Sequence, residues 1–186
     1  MDERGREPES DGADESTPVE ETLGGLLTER DETLATAESL TGGLVGSRVT
    51  DVPGASAYFD RGFVTYAYDA KRELLGVSRE ALDEYGAVSE TVALEMARRV
   101  RDRSDTTWGV SVTGVAGPGG GSEAKPVGTV YLGVAYAGEW GSGESYAAVE
   151  HHVFEGDRRS VREQAAERTL EMLLERVEAG PGDDGP

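Results

Sequence analysis

The residues best placed for chemistry stand in one short stretch, Ala37-Glu38-Ser39-Leu40-Thr41-Gly42-Gly43. An apolar run from Thr33 to Ala37 stops there and an amphipathic run through Leu44, Val45 and Val49 begins, which reads as a strand, a tight turn and a helix start. Paired glycines let the backbone approach a ligand, and the first-turn amides of a helix offer unpaired donors together with the positive end of its dipole. Ser39 at the strand end, with Thr41 two residues on, is therefore a place for a nucleophile facing an anion or a developing oxyanion. The plainer alternative is that Ser39 or Thr41 only caps the helix, as Ser and Thr routinely do.

Other chemistries are restricted by what the chain lacks. It has no cysteine, which removes disulfides, a thiol nucleophile and a cysteine metal site. Its two histidines, His151 and His152, are adjacent in an apparent strand and would point to opposite faces, so they cannot easily share a metal and support a Ser-His-Asp triad poorly. The 37 acidic residues against 18 basic ones give a net charge of -19, so nucleic acid, which needs a basic face, is not an expected partner. Such an acidic surface matches proteins that work in concentrated salt, and a halophilic protein is expected. Arg fills every basic position except Lys71 and Lys125, which singles out both lysines. No apolar run is long enough to span a bilayer and the acidic N-terminus lacks a signal peptide's apolar region, so no membrane partner and a cytoplasmic location are expected.

The elements that would position these residues can be read in order. Residues 1–16 hold almost nothing to bury and are expected to form a disordered acidic tail, ahead of a folded domain over 17–179 and a frayed tail over 180–186. Thr17-Pro18-Val19-Glu20 fits a capping box, with Thr17 as N-cap, opening a helix whose apolar face is Val19, Leu23, Leu26 and Leu27 and which Gly24 and Gly25 weaken. After the Ser39 turn and its helix, Phe63 to Tyr68 reads as a strand, followed by a short helical stretch carrying Lys71. Ser78 and Ser89 are placed to cap the next two helices, the second bearing Val92, Met96 and Val100 at fourfold spacing. Trp108 to Thr113 is a strand that enters the glycine-rich run Gly114 to Gly128, a loop able to press amides against an anion or simply a flexible surface loop. Thr129 to Tyr136 and Ser145 to Phe154 pair as a hairpin, and Asp157 caps a last helix with Ala166, Leu170, Leu173, Leu174 and Val177 inward. The predicted fold is α/β, a three-layer α/β/α sandwich on a mixed, mostly parallel sheet of about five strands. The Ser39 turn and the Gly114 to Gly128 loop both follow strands and should share a cleft at one sheet edge.

The combination of Thr36-Ala-Glu-Ser-Leu-Thr-Gly-Gly43, Arg61-Gly-Phe-Val-Thr-Tyr66, Gly86-Ala-Val-Ser-Glu90, Gly114-Val-Ala-Gly-Pro118 and Gly120-Gly-Ser-Glu-Ala-Lys-Pro-Val-Gly-Thr129 resembles the CinA C-terminal domain family, the nicotinamide-nucleotide amidohydrolases. The resemblance runs from about residue 18 to about residue 178. It implies hydrolysis of the carboxamide of nicotinamide mononucleotide to nicotinate mononucleotide and ammonia, with no metal and no cofactor. It further implies Ser39 as nucleophile, Lys71 as base and Tyr66 nearby. The substrate-binding residues carried over are Glu38, Thr41, Gly42, Gly43, Glu90, Thr113, Gly114, Gly117, Gly120, Gly121, Lys125 and Arg158. Leu40 departs from the Cys that relatives often carry, which leaves the serine mechanism intact. The amino-terminal molybdopterin-binding-like domain of full-length CinA proteins is missing, so a stand-alone form is expected, and a homodimer is implied by the family.

These residue types suit the reaction. A serine hydroxyl needs a base within hydrogen-bond reach to attack an amide, and a lysine serves when burial lowers its pKa. Helix-start amides after Gly42 are the expected oxyanion donors. From periodicity alone Tyr66 is equally a packed core tyrosine, Lys125 a loop surface lysine, Arg158 a surface charge and Glu38 a strand-end solubiliser. Two other functions stay open at this level: a nucleotide-binding or interaction module without turnover, linked to competence and DNA damage, and an amidase for another pyridine or nucleoside amide.

Overall fold

A computed structural model describes residues 17–180. The tail expected over 1–16 and the tail beyond Gly180 lie outside the described residues. In chain order the elements are α1 (Val19–Arg30), β1 (Leu34–Glu38), α2 (Leu44–Asp51), β2 (Phe59–Val64), α3 (Tyr68–Ala70), α4 (Arg79–Tyr85), α5 (Glu90–Ser104), β3 (Trp108–Gly114), β4 (Thr129–Tyr136), β5 (Tyr146–Val153) and α6 (Arg158–Ala179). Between α3 and α4 the chain continues as one π-helical turn over Lys71–Leu75.

One five-stranded sheet in the order β2-β1-β3-β4-β5 organises the domain. β2, β1 and β3 run parallel, β4 returns antiparallel to β3, and β5, antiparallel to β4, runs again in the direction of β3. Alternation along the strands sorts side chains to two faces. Leu34, Trp108, Val110, Val112, Val130, Leu132 and Val134 join one core with residues of α1, α2 and α6. Ala35 and Ala37 face the opposite core with Leu82 of α4 and Val92, Met96 and Val100 of α5. The layers are therefore helix, sheet, helix. On its side α5 lies unusually close to the sheet, because a Cβ on Gly109 would stand 2.5 Å from the Ala97 carbonyl and one on Gly133 2.7 Å from that of Ala93.

This connectivity makes β1 the switch strand. From β1 the chain crosses through α2 to β2 on one side, then through α4 and α5 to β3 on the other. Open α/β sheets bind ligands outside the carboxyl ends of strands at such a point. Ser39 directly follows β1.

Two local expectations are corrected. Pro18 rather than Thr17 is the N-cap of α1; its hydrocarbon ring offers no side-chain acceptor, and only its carbonyl receives the Glu21 and Thr22 amides. Gly24 in this helix answers to packing: a Cβ there would lie 2.5 Å from the Tyr58 hydroxyl. The strand expected over 63–68 occupies Phe59–Val64 instead, and Tyr66 lies beyond it. β2 is an edge strand with Asp60, Arg61 and Gly62 exposed, so its first half shows no apolar pattern to read.

Candidate active site

Three parallel strands deliver their carboxyl ends to one place. Ser39 follows β1, Thr65 and Tyr66 follow β2, and Thr113 and Gly114 close β3. A cavity of about 190 Å³ opens there, lined by Ser39, Leu40, Tyr66, Lys71, Ala87, Val88, Thr113, Gly114, Ala116 and Arg158. Two broader hollows, of about 800 and 850 Å³, lie beside the Trp140 hairpin turn and beside Gly24 and Pro53. Neither contains a hydroxyl bonded to a base, so the smaller cavity is where chemistry can be placed.

Its centre is a pair. The ammonium nitrogen Nζ of Lys71 donates to Ser39 Oγ at 2.9 Å and to the Thr65 carbonyl at 2.6 Å. Lys71 is 0% exposed and Ser39 8%. The π-helical turn that starts at Lys71 points the side chain inward, while its neighbours Arg72, Glu73 and Leu74 are exposed. Desolvation by burial lowers the Lys71 pKa from 10.5 to about 8. Both protonation states are therefore populated near neutral pH, which is the requirement for a general base.

The turn itself differs from expectation. Glu38 is 2% exposed and its carboxylate is neither a solubiliser nor turned to the cavity. Oε2 accepts the Gly43 and Val45 amides at 2.9 and 3.1 Å, and Oε1 accepts the Gly46 amide at 2.9 Å. A carboxylate thus already occupies the N-terminus of α2, the favourable place for negative charge. Three of the helix-start amides expected to serve an oxyanion are thus taken, and the Glu38 carboxylate is turned to them rather than to the cavity. The Leu40, Thr41 and Leu44 amides have no acceptor among the described residues, and of these three residues Leu40 lines the cavity. The carbonyls of Leu40 and Thr41 receive Arg162, with Nε 2.9 Å from Leu40 O and Nη2 2.7 Å from Thr41 O.

Tyr66 is 61% exposed, which removes the core-tyrosine alternative. Its hydroxyl accepts Arg158 Nη2 at 3.1 Å, and Arg158 Nη1 reaches the Gly117 carbonyl at 2.8 Å. Arg158 therefore ties the β2 end to the glycine-rich loop across the cavity mouth. Thr113 is buried and donates its hydroxyl to the Ala87 carbonyl at 2.7 Å, so it shapes the wall.

The cavity gathers Ser39, Lys71, Tyr66, Thr113, Gly114 and Arg158 from the sequence-based set. Thr41, Gly42, Glu90, Gly117, Gly120, Gly121 and Lys125 do not line it. Gly117 is one bond away through Arg158, Glu90 is exposed at the start of α5, and Lys125 Nζ donates to the Tyr85 carbonyl at 2.8 Å on the rim behind Ala87. Sequence reasoning missed Leu40, Ala87, Val88 and Ala116 as lining residues, and Arg162. The segment Gly86 to Glu90 had been singled out, but for its acid rather than for the apolar pair that lines the cavity. His151 stacks on Tyr131 at 4.7 Å and His152 on Phe154 at 5.2 Å, so both serve packing away from the cavity.

Fold and site together define an α/β domain with a buried serine–lysine pair at the switch point of a mixed sheet. A profile of the CinA C-terminal domain matches residues 16–177, and the chain belongs to this family. A protein of Symbiobacterium thermophilum, described provisionally as competence-damage inducible, is 51% identical over 164 residues, covering 87% of this chain and 38% of that protein. A CinA-like protein of Chlorobium limicola is 57% identical over 119 residues, covering 64% of this chain and 28% of its own length. The chain thus spans well under half of these relatives. Among solved structures, the competence/damage inducible protein CihA of Agrobacterium tumefaciens superposes with a TM-score of 0.77 at 40% identity, covering 85% of this chain and 96% of that one. No described helix is long and apolar enough to cross a membrane.

Proposed function

We propose that this chain hydrolyses the carboxamide of nicotinamide mononucleotide, releasing ammonia and nicotinate mononucleotide through an ester on Ser39. The observation that carries the reading is the 2.9 Å bond between Ser39 Oγ and a lysine buried until its pKa falls to about 8. Neutral Lys71 takes the proton as Ser39 Oγ attacks the carboxamide carbon, and negative charge develops on the amide oxygen. The uncommitted amide of Leu40, the residue after the nucleophile and one that lines the cavity, is the donor placed to meet it. Collapse breaks the carbon–nitrogen bond, and protonated Lys71 gives its proton to the departing nitrogen. Water then attacks the ester, passes a proton to Lys71, and Ser39 leaves with that proton. No metal is needed for any of these steps.

Cavity size supports the substrate class. About 190 Å³ is below the 300–1,000 Å³ typical of pockets that enclose drug-sized ligands, and suits a single carboxamide-bearing ring. Ribose and phosphate would extend over the mouth, where Arg158 and, farther along the rim, Lys125 supply positive charge to an otherwise acidic protein. The family resemblance supplies the pyridine nucleotide as the particular amide. Incubating the purified protein with nicotinamide mononucleotide and assaying ammonia tests the reading: stoichiometric ammonia and nicotinate mononucleotide are expected. Binding of the nucleotide with no ammonia over pH 7 to 9 would instead favour a module without turnover, and release of ammonia only from other amides would move the substrate.

A further inference from the structure

The turn that carries Ser39 is held from behind by Arg162, a residue of α6 to which no role has so far been attached. Ser39 to Gly42 form a β-turn closed by the Gly42 amide on the Ser39 carbonyl at 3.2 Å. The Leu40–Thr41 peptide is the central unit of that turn, the one whose half-rotation interconverts type I and type II. Type II needs a positive φ at the third residue, and among the described non-glycine residues only Asp31 and Asp105 have one. Thr41 thus keeps the other sense. Arg162 locks it there, Nε holding the Leu40 oxygen at 2.9 Å and Nη2 the Thr41 oxygen at 2.7 Å.

A trans peptide is planar, so a carbonyl fixed toward Arg162 turns the N–H of the same peptide the opposite way. The Thr41 amide therefore points away from the guanidinium. By the same rule the Leu40 amide points away from the Ser39 carbonyl, which is engaged with Gly42. Among the described residues neither amide has an acceptor, and Arg162 meets these carbonyls with no carboxylate within 4.0 Å.

We propose that Arg162 is a positioning residue that builds the oxyanion site: by holding the Leu40 and Thr41 carbonyls it fixes the Ser39–Gly42 turn so that the unpaired amide of Leu40, a residue that lines the cavity, meets the negative charge formed when Ser39 attacks. This rests on the reading of Ser39 as nucleophile, and the test separates the two. Phosphonylation by an alkyl fluorophosphonate forms an Oγ–P bond at Ser39, expels fluoride, sends the serine proton to Lys71 and loads the same oxyanion site without any natural substrate. Parent, Arg162→Lys, Arg162→Gln and, as control, Arg159→Ala are compared for labelling rate, melting temperature, kcat and KM on the amide. Arg159 is exposed and bonded only to Glu163 among the described residues. We expect both Arg162 variants to lose roughly 10-fold or more in labelling rate and kcat, short of the 10²- to 10³-fold that follows deletion of a donor itself, with KM little changed. Arg162→Lys retains the charge but not the fork that holds both carbonyls, and a slow rate in a variant that melts like the parent carries the inference. Parental labelling rates in both variants would overturn it. No labelling of Ser39 in the parent would instead remove the nucleophile, and the inference with it.

Discussion

Replacing Lys71 by Met is the most informative single perturbation, because it alters activity and stability in opposite directions. The fall in pKa from 10.5 to about 8 corresponds to about 3 kcal/mol of disfavoured charge in the folded protein. For a lysine lowered in this way the unfolded chain holds the extra proton between about 8 and 10.5. The full penalty is present below about 8 and fades as pH rises toward 10.5. Met has a similar length and no charge, so Lys71→Met removes the penalty but leaves the Thr65 carbonyl and Ser39 Oγ without their donor, a cost of about 1–3 kcal/mol. At pH 7 the variant should match the parent or exceed it by up to about 2 kcal/mol in denaturant unfolding. Its advantage should shrink steadily from pH 8 to 10.5. Turnover should meanwhile fall by the general-base contribution, about 10²- to 10⁴-fold. In the parent, roughly a tenth of Lys71 is neutral at pH 7, and kcat/KM should climb about tenfold per pH unit before levelling above about 8. Lys71→Arg should be as inactive as Met, since a guanidinium keeps its proton, and less stable, since the site is fully enclosed. A stability difference that stays flat across pH 8 to 10.5, or near-parental turnover in Lys71→Met, would refute the reasoning.

Three further outcomes follow from the same structure. Glu38→Ala should lower unfolding free energy by roughly 2–4 kcal/mol, because three amides at the start of α2 lose a charged acceptor together; a loss under 0.5 kcal/mol would mean that water replaces the cap. Lys125→Ala should weaken binding of nicotinamide mononucleotide more than it slows turnover, and should leave the dephosphorylated riboside unaffected in a titration; equal effects on both would place the phosphate elsewhere. The melting temperature should rise steeply with potassium chloride, since a net charge of -19 repels itself over about 30 Å at 0.01 M salt and only about 3 Å at 1 M. A flat profile would end the halophile reading.

Where the chain spoke locally, its sequence was informative. Ser78, Ser89 and Asp157 each accept the amide three residues on, as a cap must, and these bonds depend on little beyond the neighbouring backbone. β4 begins at Thr129 and ends at Tyr136, where a buried run meets glycine-rich turns. β2 was misplaced because an edge strand with exposed Asp60 and Arg61 carries no burial pattern. Within the site, Ser39 was legible from the strand-to-helix turn, whereas Lys71 was only conspicuous as a rare lysine until the resemblance gave it a role. Its burial beside Ser39 comes from the inward-pointing π-helical turn, which composition does not announce. Glu38 looked like a surface acid because nothing in a strand-end glutamate says that the next helix will curl its amides back onto it. Arg158 and Arg162 reach the turn and the glycine-rich loop from far along the chain, so their contacts exist only in three dimensions.

The central claim is that Ser39, activated by Lys71, carries the acyl group of the substrate during turnover. Rapid acid quenching of the protein with saturating nicotinamide mononucleotide, followed by mass analysis of the peptide that contains Ser39, tests it most directly. The account predicts a peptide heavier by the nicotinate mononucleotide acyl group, absent in Ser39→Ala and formed far more slowly in Lys71→Met. Ammonia released at the parental rate by Ser39→Ala, or turnover with the acyl group on another residue, would contradict it.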